Sequence, residues 1–113
     1  MDAKKRFLTA YRENALEIER LTKEIEKWNE RMTLNSEVVR LLHILNERIE
    51  KAMLQRDEIE QAIAALDDAK LRAVMSLRYL EGMKWEEIED ALHLEYRWLL
   101  RLHNRALQQI CAE

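Results

Sequence analysis

The sequence predicts an all-α protein: an N-terminal antiparallel helical hairpin of coiled-coil type, then a C-terminal three-helix domain of helix-turn-helix form. Three observations carry this. The 113 residues include no Pro and one Gly, so the dihedrals that tight turns and β-hairpins need are scarce. Charged residues make up 36% and aromatics 6%, and runs of Ala, Glu, Lys, Leu, Arg and Ile favour helix. Apolar residues recur at spacings of three and four along most of the chain. The boundary is expected at 66/67, with residues 1–66 as a dimerising arm and 67–113 as the C-terminal domain.

The first segment reads as one long heptad helix. Its seam holds Lys4, Phe7, Tyr11, Asn14, Ile18, Leu21, Ile25, Trp28 and Met32, a repeat that specifies coiled-coil packing. Thr33-Leu34-Asn35-Ser36 interrupts it, because Thr, Asn and Ser compete for their own backbone and favour caps. Ser36 or Asn35 is the expected cap of the next helix, with Glu37 facing the positive dipole end. The second seam runs through Val38, Leu42, Leu45, Ile49, Ala52, Arg56, Ile59, Ile63 and Leu66.

Two heptad helices with a short polar link fold back most simply as a hairpin. The alternative is one unbroken rod from residue 3 to 66. Val39, Leu41, Ile44, Met53 and Leu54 lie outside the second seam. They are expected to meet the C-terminal domain or a second chain, since one partner helix covers only one stripe. Asn14 and Arg56, polar within apolar seams, either fix register or sit at a solvent-reachable edge.

Asp67-Asp68 is a cap pair opening a third helix, expected over Ala69 to Glu81 and mostly buried. Gly82 follows where a left-handed residue ends a helix. A short helix from Trp85 to Leu92, a connection at His93-Leu94-Glu95 and a last helix from Tyr96 to Cys111 complete the chain. Short helix, three-residue turn, longer helix is helix-turn-helix spacing.

Several function classes are excluded from expectation. No stretch approaches the roughly 20 apolar residues of a membrane span. Met1 to Arg12 has no apolar core, so no signal peptide is expected. The one cysteine, Cys111, fits a reducing cytosol, and a cytoplasmic location in a bacterial host is expected. His43, His93 and His103 lack the spacing of a zinc site, with His103 read as a surface residue or a phosphate contact. With no Gly-rich phosphate loop and no activated Ser or Cys pair, neither an enzyme nor a bound cofactor is expected.

The net charge is −3, but distribution matters more than the total. Between Tyr96 and Ala112 the only formal charges are Arg97, Arg101 and Arg105. Recurring every four residues, they form one ridge, opposite an inward stripe of Leu99, Leu102, Ala106 and Ile110. Tyr96, Leu100 and Asn104 flank the ridge. Arg binds phosphate or a guanine edge bidentately and Asn reads adenine, as a major-groove helix requires. By composition alone, a solvated arginine face paired with nearby Glu accounts for the ridge equally well.

The run from Leu77 to Ile110, LRYLEGMKWEEIEDALHLEYRWLLRLHNRALQQI, resembles the region-four helix-turn-helix of bacterial sigma factors. With the helical N-terminal half, "WEEI" and "YRWLLRLHNRAL" are similar to a family of small phage and prophage proteins of Gram-positive bacteria. The resemblance implies DNA binding in phage transcription regulation, with Tyr96, Arg97, Arg101 and Asn104 facing DNA. It leaves Arg105 either to phosphate or to a carboxylate such as Glu81 or Glu87. Trp85 and Trp98 are expected to pack the core rather than stack on bases.

This copy departs from the pattern. His93 stands where Gly is frequent, and Glu89 where a small residue is usual. Lys84 and Glu95 replace Ser or Thr caps, each worth about 1 kcal/mol. Glu86, Glu87, Glu89 and Asp90 add negative charge near the DNA face. The expected function is therefore sequence-specific binding of double-stranded DNA by a homodimer. Alternatives are a module that binds RNA polymerase or a sigma factor, and a small terminase-like packaging component.

Overall fold

The computed structural model describes residues 3–31 and 35–110. Met1, Met32, Thr33, Leu34, Cys111 and Ala112, all named above, lie outside them. The described residues form α1 (Ala3–Arg31), α2 (Ser36–Ala64), α3 (Ala69–Met75), α4 (Trp85–Leu92) and α5 (Tyr96–Gln109), with no strand among them. The chain is all-helical, as its composition predicts.

α1 and α2 lie side by side and run in opposite directions. Tyr11 Oη donates to Glu60 Oε1 at 2.6 Å, and Asn14 Nδ2 donates to Gln55 Oε1 at 2.8 Å. Asn14 is thus a cross-helix pin. Arg56 lays its guanidinium 5.8 Å from the Tyr11 ring centroid. The hydrogen bond to Glu60, then burial, then the Glu60 charge hold the Tyr11 hydroxyl above its usual pKa. Asn35 caps α2, its side chain accepting from Val38 N at 2.9 Å.

The heptad seam is consumed inside the chain. Leu21, Leu45, Ala52, Ile59 and Ile63 are buried, and Tyr11, Ile18, Ile25, Trp28, Val38, Leu42 and Ile49 are half-buried. Leu8, one step off the seam, is fully buried, because α1 meets residues 76–80 as well as α2. Val39, Ile44, Met53 and Leu54 stay exposed, so none of these four enters the core.

One core spans both halves. Leu8, Ile59, Ile63 and Leu66 join Leu71, Val74, Met75, Ile88, Leu99, Leu102, Ala106 and Ile110, and each large aliphatic so buried contributes about 1.5–3 kcal/mol. Apolar packing is therefore continuous across residue 66. Polar ties reinforce the junction: Arg72 Nη1 donates to Leu66 O at 2.6 Å, and Gln109 Nε2 donates to Asp67 Oδ1 at 3.2 Å.

Asp68 caps α3, accepting from Lys70 N at 2.8 Å. The α-helix expected to reach Glu81 instead changes at Ser76, where Ser76–Leu80 form a π-helical turn. Glu81 N donates to Ser76 O at 3.0 Å, and Met83 N to Leu77 O at 3.0 Å. A π turn wraps one extra residue and re-aims the side chains beyond it. Gly82 follows in the left-handed region, φ 70°.

Candidate nucleic-acid interface

α5 contains no Gly or Pro, and its amphipathic pattern decides which sides it presents. Toward the interior it buries Leu99, Leu102, Ala106 and Ile110, together with Leu107 and His103. The sharp entry into α5 is made by His93, which adopts φ 55°, ψ 43°, the left-handed conformation that Gly adopts most readily. Leu94 N donates to Glu89 O at 3.3 Å across that turn.

On the opposite side Arg97, Arg101 and Arg105 are all exposed. Among the described residues none of their three side chains makes an ion pair or hydrogen bond. Arg105 is thus not tied to Glu81 or Glu87. Trp98, expected in the core, is 45% exposed, and the Arg101 guanidinium lies 5.8 Å from its ring centroid. Its position on α5 turns it away from the inward stripe.

The third side of α5 borders a groove of about 750 Å³. Tyr96, Leu100 and Asn104 form one wall, and Lys5, Thr9 and Arg12 of α1 contribute to the lining. The floor is aromatic. Trp85 sets its edge against Tyr96, with centroids 6.2 Å apart, and against His103 at 5.2 Å. Arg78 stacks on the Trp85 ring at 4.7 Å and donates through Nη1 to Met83 O at 3.1 Å.

Arg12 Nη1 donates to Glu81 O at 2.9 Å. Both guanidiniums thus clamp the loop that leads into α4, and among the described residues no carboxylate lines the groove.

His103 is not the surface residue its sequence context implies. It is 4% exposed, and its Nε2 lies 2.6 Å from Tyr79 Oη. The first turn of α4 also departs from expectation. Lys84 offers no cap oxygen, but Glu87 Oε1 accepts from Lys84 N at 3.1 Å, satisfying one backbone donor from inside the helix. Glu86 and Asp90 remain exposed on α4, while Glu89 is half-buried.

The ridge and its flanking residues are thus brought together as one surface. Sequence reasoning missed Lys5, Arg12, Arg78 and the Tyr79–His103 pair. The available signal was the Lys4-Lys5-Arg6 run, with Arg12 one to two turns on and no carboxylate between residues 3 and 12. Among the described residues no cluster of His, Cys, Asp and Glu is arranged to hold a metal ion, and no helix is long and apolar enough to cross a membrane. Comparison of the chain with protein-family models, with curated proteins and with solved structures finds no match.

Proposed function

We propose that this protein binds double-stranded DNA sequence-specifically, as a phage or prophage transcriptional regulator, with α4 and α5 acting as a helix-turn-helix. α5 would lie in the major groove, Arg97, Arg101 and Asn104 meeting base edges and phosphates, with Arg105 at the flank. The observation that carries this is the ridge itself: three exposed arginines on one helix, free of carboxylate partners among the described residues. An unneutralised guanidinium row is available for counterion release on a polyanion. A homodimer is part of the proposal, supported by the exposed apolar residues Val39, Ile44, Met53 and Leu54 of α2. The seam itself is already occupied within each chain.

The test is duplex binding by the full chain over a salt series, with Arg97→Ala/Arg101→Ala as the variant. Helicity should be retained and affinity should fall, with the slope of log K against log salt shallower by about 0.9 for each phosphate no longer neutralised. Unchanged affinity and slope would overturn the proposal. The exposed Glu86 and Asp90 of α4 favour a second reading, a polymerase-binding module. Co-purification with RNA polymerase without retention on duplex DNA would select it.

A further inference from the structure

We infer that the amino-terminal turns of α1 form a second phosphate-binding wall, with Lys5 and Arg12 gripping the DNA strand that runs beside α5. This rests on the DNA-binding proposal and extends it to residues far from the helix-turn-helix in sequence. An α-helix with its side chains is about 10–12 Å across, close to the roughly 12 Å width of the major groove. A duplex seated on α5 therefore carries a sugar–phosphate strand along each flank of that helix. On the flank formed by Tyr96, Leu100 and Asn104, the next surface is the groove whose lining includes Lys5 and Arg12.

The charge there suits a phosphodiester strand. Lys5, Arg12 and Arg78 all line the groove, and among the described residues no Asp or Glu does. None of the three makes an ion pair among the described residues. Arg12 and Arg78 each spend one guanidinium N–H on a backbone carbonyl, which fixes their position and leaves further donors for an anion. Thr9 lines the same wall, but its hydroxyl donates to Lys5 O at 2.7 Å, so the cations alone supply donors to a phosphate. Phosphate contacts position a protein on DNA without reading sequence, so this wall sets the docking angle of α5 and leaves base preference to α5 itself.

The experiment compares wild type, Lys5→Gln, Arg12→Gln and Arg12→Lys with Arg97→Ala/Arg101→Ala. The probe is a labelled mixed-sequence duplex several helical turns long, titrated across a salt series. Lys5→Gln and Arg12→Gln should each weaken binding and reduce the salt slope by about 0.9, while Arg12→Lys retains the wild-type slope.

Arg12 also braces the Glu81 carbonyl, so its variants are checked by thermal melting. The Lys5 side chain has no hydrogen bond or ion pair among the described residues, which makes Lys5→Gln decisive even if Arg12→Gln unfolds. Binding that depends on Arg97 and Arg101 but keeps its slope in Lys5→Gln and Arg12→Gln would overturn this inference and leave the DNA proposal standing. Absence of duplex binding by wild type would remove both.

Discussion

Tyr79 Oη lies 2.6 Å from His103 Nε2, joining the π-helical turn to the middle of α5, with His103 itself only 4% exposed. A buried polar atom deprived of its partner costs about 1–3 kcal/mol, whereas replacing both partners by apolar groups can be close to neutral. Tyr79→Phe should therefore destabilise the fold by about that amount in denaturant unfolding. Tyr79→Phe combined with His103→Leu should cost less than the two single changes added together. Strict additivity would mean that the two residues stabilise the protein independently.

His93 and Gly82 both occupy left-handed backbone, at φ 55° and φ 70°, and substitutions at them should act with opposite sign. A non-glycine residue there is strained by about 1–2 kcal/mol, part of which glycine's greater unfolded-state entropy offsets. His93→Gly should raise stability by roughly 0.5–1 kcal/mol. At Gly82 an added Cβ would also come within 2.6 Å of the Arg12 side chain and disturb its bond to Glu81 O. Gly82→Ala should lower stability by about 1–2 kcal/mol. Thermal melting of both variants checks the pair, and equal signs would refute the strain argument.

The same positions show what the sequence could disclose. Gly82 was legible because a lone glycine after a periodic run has one common use, and the inward stripe of α5 because its spacing is strictly helical. The exposure of Arg97, Arg101 and Arg105 followed from that stripe by elimination. His103 was opaque: its partner lies 24 residues away, on a π-helical turn that the apolar spacing of the segment does not distinguish from α-helix. Lys5 and Arg12 left a charge signal in the sequence, but their place at the groove depends on α1 packing against residues 76–80, which no local pattern discloses. Trp98 misled because an indole is assumed to be sheltered, while its place on α5 turns it outward.

Tyr11 should give the α1–α2 pair a sensitivity to alkaline pH. Its hydroxyl proton is held by Glu60, which raises its pKa above the usual 10.0. A group with a raised folded-state pKa contributes stability that is fully present below the unfolded value. That contribution is lost as pH climbs from about 10 through the folded value. Tyr11→Phe should be less stable than wild type near neutrality by about 1 kcal/mol or less. The gap should narrow in unfolding measured above pH 10, and a constant gap would show that the Glu60 contact does not govern the titration.

Glu86 and Asp90 supply the sharpest check on how the proposed interface faces its duplex. In a helix-turn-helix the first helix crosses the DNA backbone while the second enters the groove, so exposed carboxylates on α4 would meet phosphates within a Debye length. Glu86→Gln/Asp90→Asn should then tighten duplex binding by roughly three- to tenfold at low salt, an electrostatic gain of about 1 kcal/mol that fades as salt rises. Glu86 lies in the first turn of α4, where a negative charge favours the helix by about 0.3–1 kcal/mol. Asp90, four residues on in the last turn of α4, is a like charge to Glu86, so neutralising both offsets that loss and the variant should melt close to wild type while binding more tightly. That divergence separates an interface effect from a gain in folding. Unaltered affinity would place α4 away from the duplex and require the arginine ridge to engage DNA in another orientation.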